Sequence, residues 1–196
     1  MHLKQGVQKM TLALAFGVLL TACGGNTPSA EAKVQEMRAI YQSMEGISAA
    51  AEITADYGER LYTYSVSVEG NSSAGTMAVQ EPENIAGTVL QWSEEKTSLN
   101  YENVTLETGA ISDSGLSPAD AFPAILAACR GGSIKECCLE EEETVLYAEL
   151  ENPEEETCTV TCWFDAETYA LHRAELAESG VRVITLDFAD FTIILS

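Results

Sequence analysis

An alternation of apolar and polar side chains that begins at Ile47 constrains the fold of this chain more than any other sequence feature. Its period of two residues is typical of a strand with one buried face. Similar short strands follow with tight turns and no helices between them, which favours antiparallel pairing. The predicted strands cover residues 47–57, 61–69, 76–80, 87–92, 99–101 and 104–106. A second, acidic meander is predicted at residues 144–149, 157–164, 170–177 and 181–191, followed by a short apolar tail at 192–196.

Two amphipathic helices are predicted beside these strands. The first covers residues 30–45, and its apolar stripe consists of Val34, Met37, Tyr41 and Met44. The second has Ser117 as its N-cap, Pro118 in its first position and Asp120 placed as in a capping box. Its apolar face comprises Phe122, Ile125, Leu126 and Cys129, and Gly131-Gly132 ends it. The first stripe could bind a partner, but packing on the chain's own sheet is favoured.

These elements predict an α+β fold. A single antiparallel sheet of seven or more strands twists and curls, so we expect a half β-barrel covered by the N-terminal helix and the mid-chain helix. Helices of about 11–16 residues reach only ~16–24 Å. Part of the inner face is therefore expected to stay open for an apolar ligand, a partner protein or a second copy in a homodimer.

The N-terminal segment has the features of an export signal. Lys4 and Lys9 precede an apolar run at residues 11–20, which is too short for a ~30 Å hydrocarbon core. Leu20-Thr21-Ala22-Cys23 resembles the bacterial lipobox, in which the cysteine receives a diacylglyceryl group and becomes the first mature residue. The predicted organisation is a signal peptide at 1–22, a lipidated tether at 23–29 and one domain at 30–196. Ordinary cleavage after Ala22 would instead leave a free Cys23.

Charge and composition disfavour several classes of function, although a hydrolase that uses carboxylates alone stays open as a distant alternative. The chain carries a net charge of −21, and loss of the two signal lysines would make it −23. Such a charge disfavours nucleic acid and anionic headgroups. Only His172 would remain after cleavage, which argues against a histidine-based metal site or Ser-His chemistry. We expect no cofactor and no enzymatic activity. The expected location is extracytoplasmic, on the membrane that holds the lipid of Cys23.

The order of elements, together with several short strings, resembles the half-barrel fold shared by the LolA and LolB lipoprotein carriers and receptors. It is also similar to the GerS-like germination lipoproteins of spore-forming Firmicutes. The strings are Glu81-Pro82-Glu83-Asn84-Ile85-Ala86-Gly87, Gly115-Leu116-Ser117-Pro118, Trp163-Phe164-Asp165, Ala174-Glu175, Gly180 and Asp187-Phe188. The resemblance implies either an acyl or lipoprotein ligand in the concavity, or docking to a cell-envelope protein such as a spore-cortex amidase.

Candidate site residues fall into three groups. The side chains expected to line the concavity, or else to be ordinary core residues, are Tyr62, Tyr64, Met77, Leu90 and Trp92. The acidic runs 140–143 and 154–156 are expected to form a solvated edge, with docking to a basic partner or loose cation binding as alternatives.

The cysteines beyond Cys23 are a departure from the family, and they are Cys129, Cys137, Cys138, Cys158 and Cys162. Disulfides, buried thiols and a metal site are all open, although strict C-x-x-C pairs are missing. Cys158 and Cys162 would lie ~13 Å apart on one strand, too far for a bond. Both should face the core, and Cys137 or Cys138 is the expected partner for one of them or for Cys129.

Lipidation gives the first testable prediction. If Cys23 carries the lipid, the protein should partition into detergent, and Cys23→Ala should yield an unprocessed or soluble form. An unmodified mature N-terminus in mass spectrometry would contradict the prediction.

Overall fold

The structure is a computed structural model, which describes residues 28–71, 73–93, 97–101, 104–108, 116–153 and 157–195. The predicted signal peptide and Cys23 lie outside these ranges. The helices are α1 (Ala30–Ser43) and α2 (Pro118–Gly131). The first six strands are β1 (Gly46–Asp56), β2 (Leu61–Gly70), β3 (Ala74–Glu81), β4 (Val89–Ser93), β5 (Thr97–Tyr101) and β6 (Val104–Thr108). The remaining five are β7 (Ile134–Glu140), β8 (Val145–Glu151), β9 (Cys158–Asp165), β10 (Leu171–Glu178) and β11 (Val181–Ile194).

All eleven described strands form one antiparallel sheet in the order β6-β5-β4-β3-β2-β1-β11-β10-β9-β8-β7. The first and last strands of the chain therefore pair at the centre of the sheet, while β6 and β7 form its two edges. The sheet is curled and does not close, and both helices lie on its concave face. The predicted α+β half-barrel is confirmed.

The alternation that begins at Ile47 places one side of β1 in the core. Ile47, Ile53 and Ala55 are almost completely buried, and Ala49 and Ala51 are buried on the same side. The residues that alternate with them, Ser48, Ala50, Glu52 and Thr54, face the convex side. Strand β11 contributes Ile184 and Leu186 to the same core. Because β1 is rich in alanine, its backbone leaves room for the bulkier side chains of α2, which packs on it.

Helix α1 is tied to the turn between β9 and β10. The Tyr41 hydroxyl donates to the Tyr169 carbonyl at 3.0 Å, and the Tyr169 hydroxyl donates to the Glu36 carboxylate at 2.5 Å. The Lys33 ammonium donates to the Ala166 carbonyl at 2.7 Å. The apolar stripe of α1 is buried against the sheet, so the helix packs on its own domain as predicted.

Helix α2 begins at Ser117 as predicted, although its cap differs in detail. The Ser117 hydroxyl accepts from the Ala119 N–H at 3.1 Å, while the Asp120 N–H donates to the Ser117 carbonyl rather than to the hydroxyl that a capping box uses. At the other end, the Gln42 side chain of α1 donates to the Arg130 carbonyl at 2.7 Å, and the Arg38 side chain donates to the Gly132 carbonyl. Helix α1 thus satisfies carbonyls that α2 leaves open at its C-terminus.

Two parts of the structure differ from the sequence prediction. Strand β7 was not predicted, because residues 134–140 show no regular alternation; they extend because they pair with β8 at the edge of the sheet. The expected apolar tail is instead the end of β11, where Ile194 pairs with Gly46. In both cases a partner distant in the sequence completes the strand.

Two adjacent glycines at the end of α2 give a matched test of this packing. A Cβ on Gly132 would meet the Glu151 carbonyl oxygen and lie 2.7 Å from the Ala128 carbonyl oxygen, whereas a Cβ on Gly131 meets nothing within 4 Å. We expect Gly132→Ala to lower the free energy of unfolding by about 1–3 kcal/mol. Gly131→Ala should leave it unchanged or raise it by ~0.5–1 kcal/mol. Urea unfolding measures both, and equal stability of the two variants would contradict the close packing at Gly132.

Candidate functional site

The two helices cover the concave face of the sheet unevenly. The main contacts of α1 are with β7 and β8, and those of α2 are with β1, β8 and β9. Strands β2–β6 extend the same concave face beyond these contacts. We call this part of the surface the β2–β6 half.

The five side chains predicted to line the concavity all lie on the β2–β6 half. Tyr62 pairs with Ala55 and Tyr64 with Ile53, and both partners belong to the core. Met77 and Leu90 face each other across β3 and β4 and are buried, so they form the floor of this surface. Tyr64 and Trp92 are partly buried, and Tyr62 is 38% exposed.

Trp92 forms a wall between the β2–β6 half and α2. Its ring lies against Gly75, where a Cβ would overlap it, and beside Gly70, where a Cβ would be 3.2 Å away. The two missing side chains let the ring rest on the backbone of β2 and β3. Its centroid is 6.0 Å from that of Phe122 on α2. Trp92 is therefore both a core contact and a boundary of the open surface.

A line of aromatic rings continues from Phe122 under the helices. Phe122 contacts Phe188 with centroids 6.2 Å apart, Phe188 contacts Phe191 at 5.2 Å, and Phe191 contacts Tyr41 at 6.4 Å. Phe188 pairs with Ala51 and Phe191 with Ala49, because a bulge opposite Ala50 and Ala51 shifts the register. Without the bulge, residues three apart would point to opposite faces. Sequence reasoning missed this arrangement because no local signal marked the bulge.

Tyr57 stands at the end of the β2–β6 half, just beyond the end of β1. It is 47% exposed, its hydroxyl donates to the Leu116 carbonyl at 3.0 Å, and its ring centroid lies 6.2 Å from that of Tyr62. Partial burial, followed by the nearby Tyr64 and Asp120, raises the pKa of Tyr57. Its place in the alternation from Ile47 was the signal that could have identified it as a surface residue of the concavity.

The five described cysteines lie on α2, β7 and β9. Cys158 and Cys162 face the core, as predicted, and all five described cysteines are free. Cys137 lies opposite Ala148, which lies opposite Cys162. Two strand spacings of about 4.8 Å put Cys137 roughly 9.6 Å from Cys162, beyond disulfide reach. Cys138 points to the convex face beside Tyr147.

Cys129 of α2 is the thiol that lies next to Cys162. Both side chains are completely buried. Burial raises the pKa of Cys162, and the hydrogen-bonded Cys129 thiol raises it further. The two thiols meet between α2 and β9.

The convex face is polar. Its groove of about 450 Å³ on strands β7–β10 is lined by Lys135, Glu149, Thr157, Thr159, Thr161, Ala177, Ser179 and Gly180. Glu141, Glu142 and Glu143 form the exposed turn between β7 and β8, consistent with a solvated edge, while residues 154–156 lie outside the described ranges.

Among the residues that the structure describes, no three His, Cys, Asp or Glu side chains gather to hold a metal ion. None of the helices in that part of the chain is long and apolar enough to span a membrane.

Comparison with solved structures identifies the fold. A domain of an outer membrane lipoprotein-sorting protein from Vibrio parahaemolyticus matches with a TM-score of 0.52 and 11% identity, over 84% of this chain and 92% of that chain. A LolA superfamily protein from Nitrosomonas europaea matches with a TM-score of 0.45 and 12% identity, over 86% and 94% of the two chains. A structure of the CwlD amidase from Clostridioides difficile in complex with the GerS lipoprotein matches with a TM-score of 0.46 and 16% identity, over 84% and 96%.

The fold assignment rests on the lipoprotein-sorting domain from Vibrio parahaemolyticus, whose TM-score is 0.52. The chain has a LolA-like half-barrel fold. The predicted resemblance is therefore confirmed at the level of the fold. Neither a family model nor a curated protein sequence matches the chain significantly.

The neighbouring thiols give a prediction about disulfide formation. A disulfide-exchange oxidase that acts while the exported chain folds, before both thiols are buried, should accept the two electrons that Cys129 and Cys162 lose as they bond and release two protons. We expect non-reducing peptide mapping to recover a 129–162 bridge, and Cys129→Ala to prevent it. Cys137→Ala is the control and should leave the bridge in place. A 137–162 bridge would contradict the register of β7, β8 and β9.

Proposed function

We propose that this protein is a membrane-anchored extracytoplasmic lipoprotein that binds an apolar ligand, such as an acyl chain, on the β2–β6 half of its concave face. The observation that supports this most is the reach of that face beyond both helices, with partly open aromatic side chains on it. Tyr62, Tyr64 and Trp92 provide apolar area at its surface, and Met77 and Leu90 provide a buried floor.

The geometry of this surface suits an extended acyl chain. Its floor runs across neighbouring strands, from Tyr64 on β2 to Leu90 on β4, and Trp92 closes it on the side of α2. Ligand sites are commonly concave and mostly apolar, with a few polar groups that fix orientation. The tyrosine hydroxyls at its end can supply those groups. The function we propose is binding rather than catalysis, since the side chains on this surface are aromatic and aliphatic.

The anchor completes the proposed arrangement. In it, residues 1–22 are removed, Cys23 carries the lipid, and residues 23–29 tether the domain at 30–196 to the membrane. A diacylglyceryl group with an amide-linked acyl chain is in the range of stable membrane attachment. The concave face would then work close to a bilayer, which is a source of acyl chains.

A second candidate function uses the same surface without a lipid ligand. In that case the exposed apolar end of the concave face, with Tyr57 and Tyr62, would dock onto a cell-envelope enzyme such as an amidase. Exposed apolar patches of this kind often mark protein contacts. The two functions are distinguished by whether the isolated protein binds an apolar small molecule.

The test is titration with a neutral apolar fluorophore, diphenylhexatriene, using the full mature chain with Cys23→Ser to prevent acylation. Tyr64→Glu places a carboxylate on the concave face and should weaken binding at least tenfold, which corresponds to about 1.4 kcal/mol. Thr63→Glu is the matched control, because Thr63 lies on the convex face of the same strand opposite Thr54. It should bind like the parent.

Saturable binding that Tyr64→Glu and Thr63→Glu weaken equally would contradict the proposed location. Absence of binding by the parent chain would contradict the ligand-binding function altogether. Native mass spectrometry of the same protein then shows whether it forms the homodimer that the sequence left open.

A further inference from the structure

Three tyrosines stand together at one end of the β2–β6 half. Tyr62 and Tyr64 are two residues apart on the concave side of β2, about 6.6 Å along the strand. Tyr57 follows the end of β1, and its ring meets that of Tyr62 edge-on, with centroids 6.2 Å apart and an angle of 62° between the ring planes. We call these three residues the tyrosine cluster.

The cluster is open to solvent and fixed in place. Tyr57 and Tyr62 are 47% and 38% exposed, which is unusual for large aromatic side chains on the side of the sheet that forms the core. The Tyr57 hydroxyl is held by the Leu116 carbonyl, so the ring is the part of Tyr57 with which a ligand can interact. A core role explains Tyr64, which is partly buried, but leaves the exposed surface of the other two rings without an explanation.

The electrostatic surroundings select the charge of that ligand. Aromatic faces attract cations through their quadrupole, and inclined rings are the arrangement with which proteins recognise substituted ammonium groups. Asp120, in the first turn of α2, is close enough to act on Tyr57. The mature chain would carry −23 overall, so an anionic group would be repelled from this end of the domain.

We propose that the tyrosine cluster binds an organic ammonium group, which is the polar end of an apolar ligand whose chain lies along the β2–β6 half. The inference rests on the proposed function, and it adds the chemical class of the ligand: a cationic amphiphile rather than a fatty acid. The positive group sits against Tyr57 and Tyr62, and the apolar chain of the ligand extends past the partly buried Tyr64 along the β2–β6 half.

The experiment compares three ligands that share a twelve-carbon chain and differ in the head group. Dodecyltrimethylammonium, dodecanol and dodecyl sulfate are titrated below their aggregation limits into the full mature chain with Cys23→Ser, by calorimetry. We expect the cation to bind roughly five- to thirtyfold more tightly than the alcohol, as two solvent-exposed cation–π contacts provide. The sulfate should bind more weakly than the alcohol.

Variants of Tyr62 separate the contribution of its aromatic ring to cation affinity from the contribution of the protein's net charge. The ratio of cation to alcohol affinity should fall in Tyr62→Leu to the roughly two- to fivefold that the Tyr57 ring alone provides, and stay near the parent value in Tyr62→Phe. Leu61→Ala is the control: Leu61 is 66% exposed and lies on the convex face of β2 opposite Asp56, so the ratio should not change. Repeating the titrations at high salt screens the general field but preserves a ring contact.

The outcomes distinguish this inference from the function on which it rests. If all three ligands bind equally, or if Tyr62→Leu keeps the full preference for the cation, the ammonium site is overturned while the apolar site stands. If none of the three binds, the proposed function itself fails. A preference that disappears at high salt in the parent chain would show that net charge alone produced it, and would also overturn the site.

Discussion

Burial of the concave face of one long sheet is the constraint on which the rest of this structure depends. Eleven strands present a wide apolar surface, and an open sheet of that size stays folded in water only if this surface is covered. Two helices of 14 residues each are about 21 Å long and cover the half that contains β7–β9 and the centre. The fold therefore produces an uneven surface. The concave side chains under the helices are buried, whereas on β2–β6 the buried Met77 and Leu90 are flanked by the exposed Tyr62 and the partly buried Tyr64 and Trp92.

The helices are held where they are by directional contacts rather than by apolar packing alone. Arg38 and Gln42 of α1 satisfy carbonyls at the end of α2, and Tyr41 and Tyr169 connect α1 to the β9–β10 turn. A shift of either helix towards β2–β6 would leave these partly buried polar groups without partners, which is unfavourable. The position of both helices over the β7–β9 side of the sheet is therefore fixed by hydrogen bonds as well as by apolar packing.

Charge is distributed in a way that complements this division. On the convex face, Arg173 and Arg182 both pair with Glu175, and Arg173 also pairs with Asp187. The hydrogen bond to Glu175 and the nearby charge of Asp187 raise the pKa of Arg173, against the opposing effect of partial burial. Several of the few cations of the chain are therefore committed to carboxylates on the side away from the concavity. The tyrosine cluster lies beside Asp120 in a domain whose uncompensated charge is negative.

The sequence by itself determined most of the secondary structure and the buried side of each strand, because these follow from local periodicity and capping residues. The alternation from Ile47, the stripe of α1 and Ser117-Pro118 at the start of α2 all appear in the structure where the pattern places them. Tyr62, Tyr64, Met77, Leu90 and Trp92 were assigned to one face for the same reason. Only the tertiary structure decided which of them are open, which strand completes β7, and which thiol meets Cys162. It also decided that a bulge turns both Phe188 and Phe191 inward and that Tyr57 meets Tyr62. Those features depend on partners distant in the sequence, and a local pattern of side chains carries no information about which distant segment will pack against it.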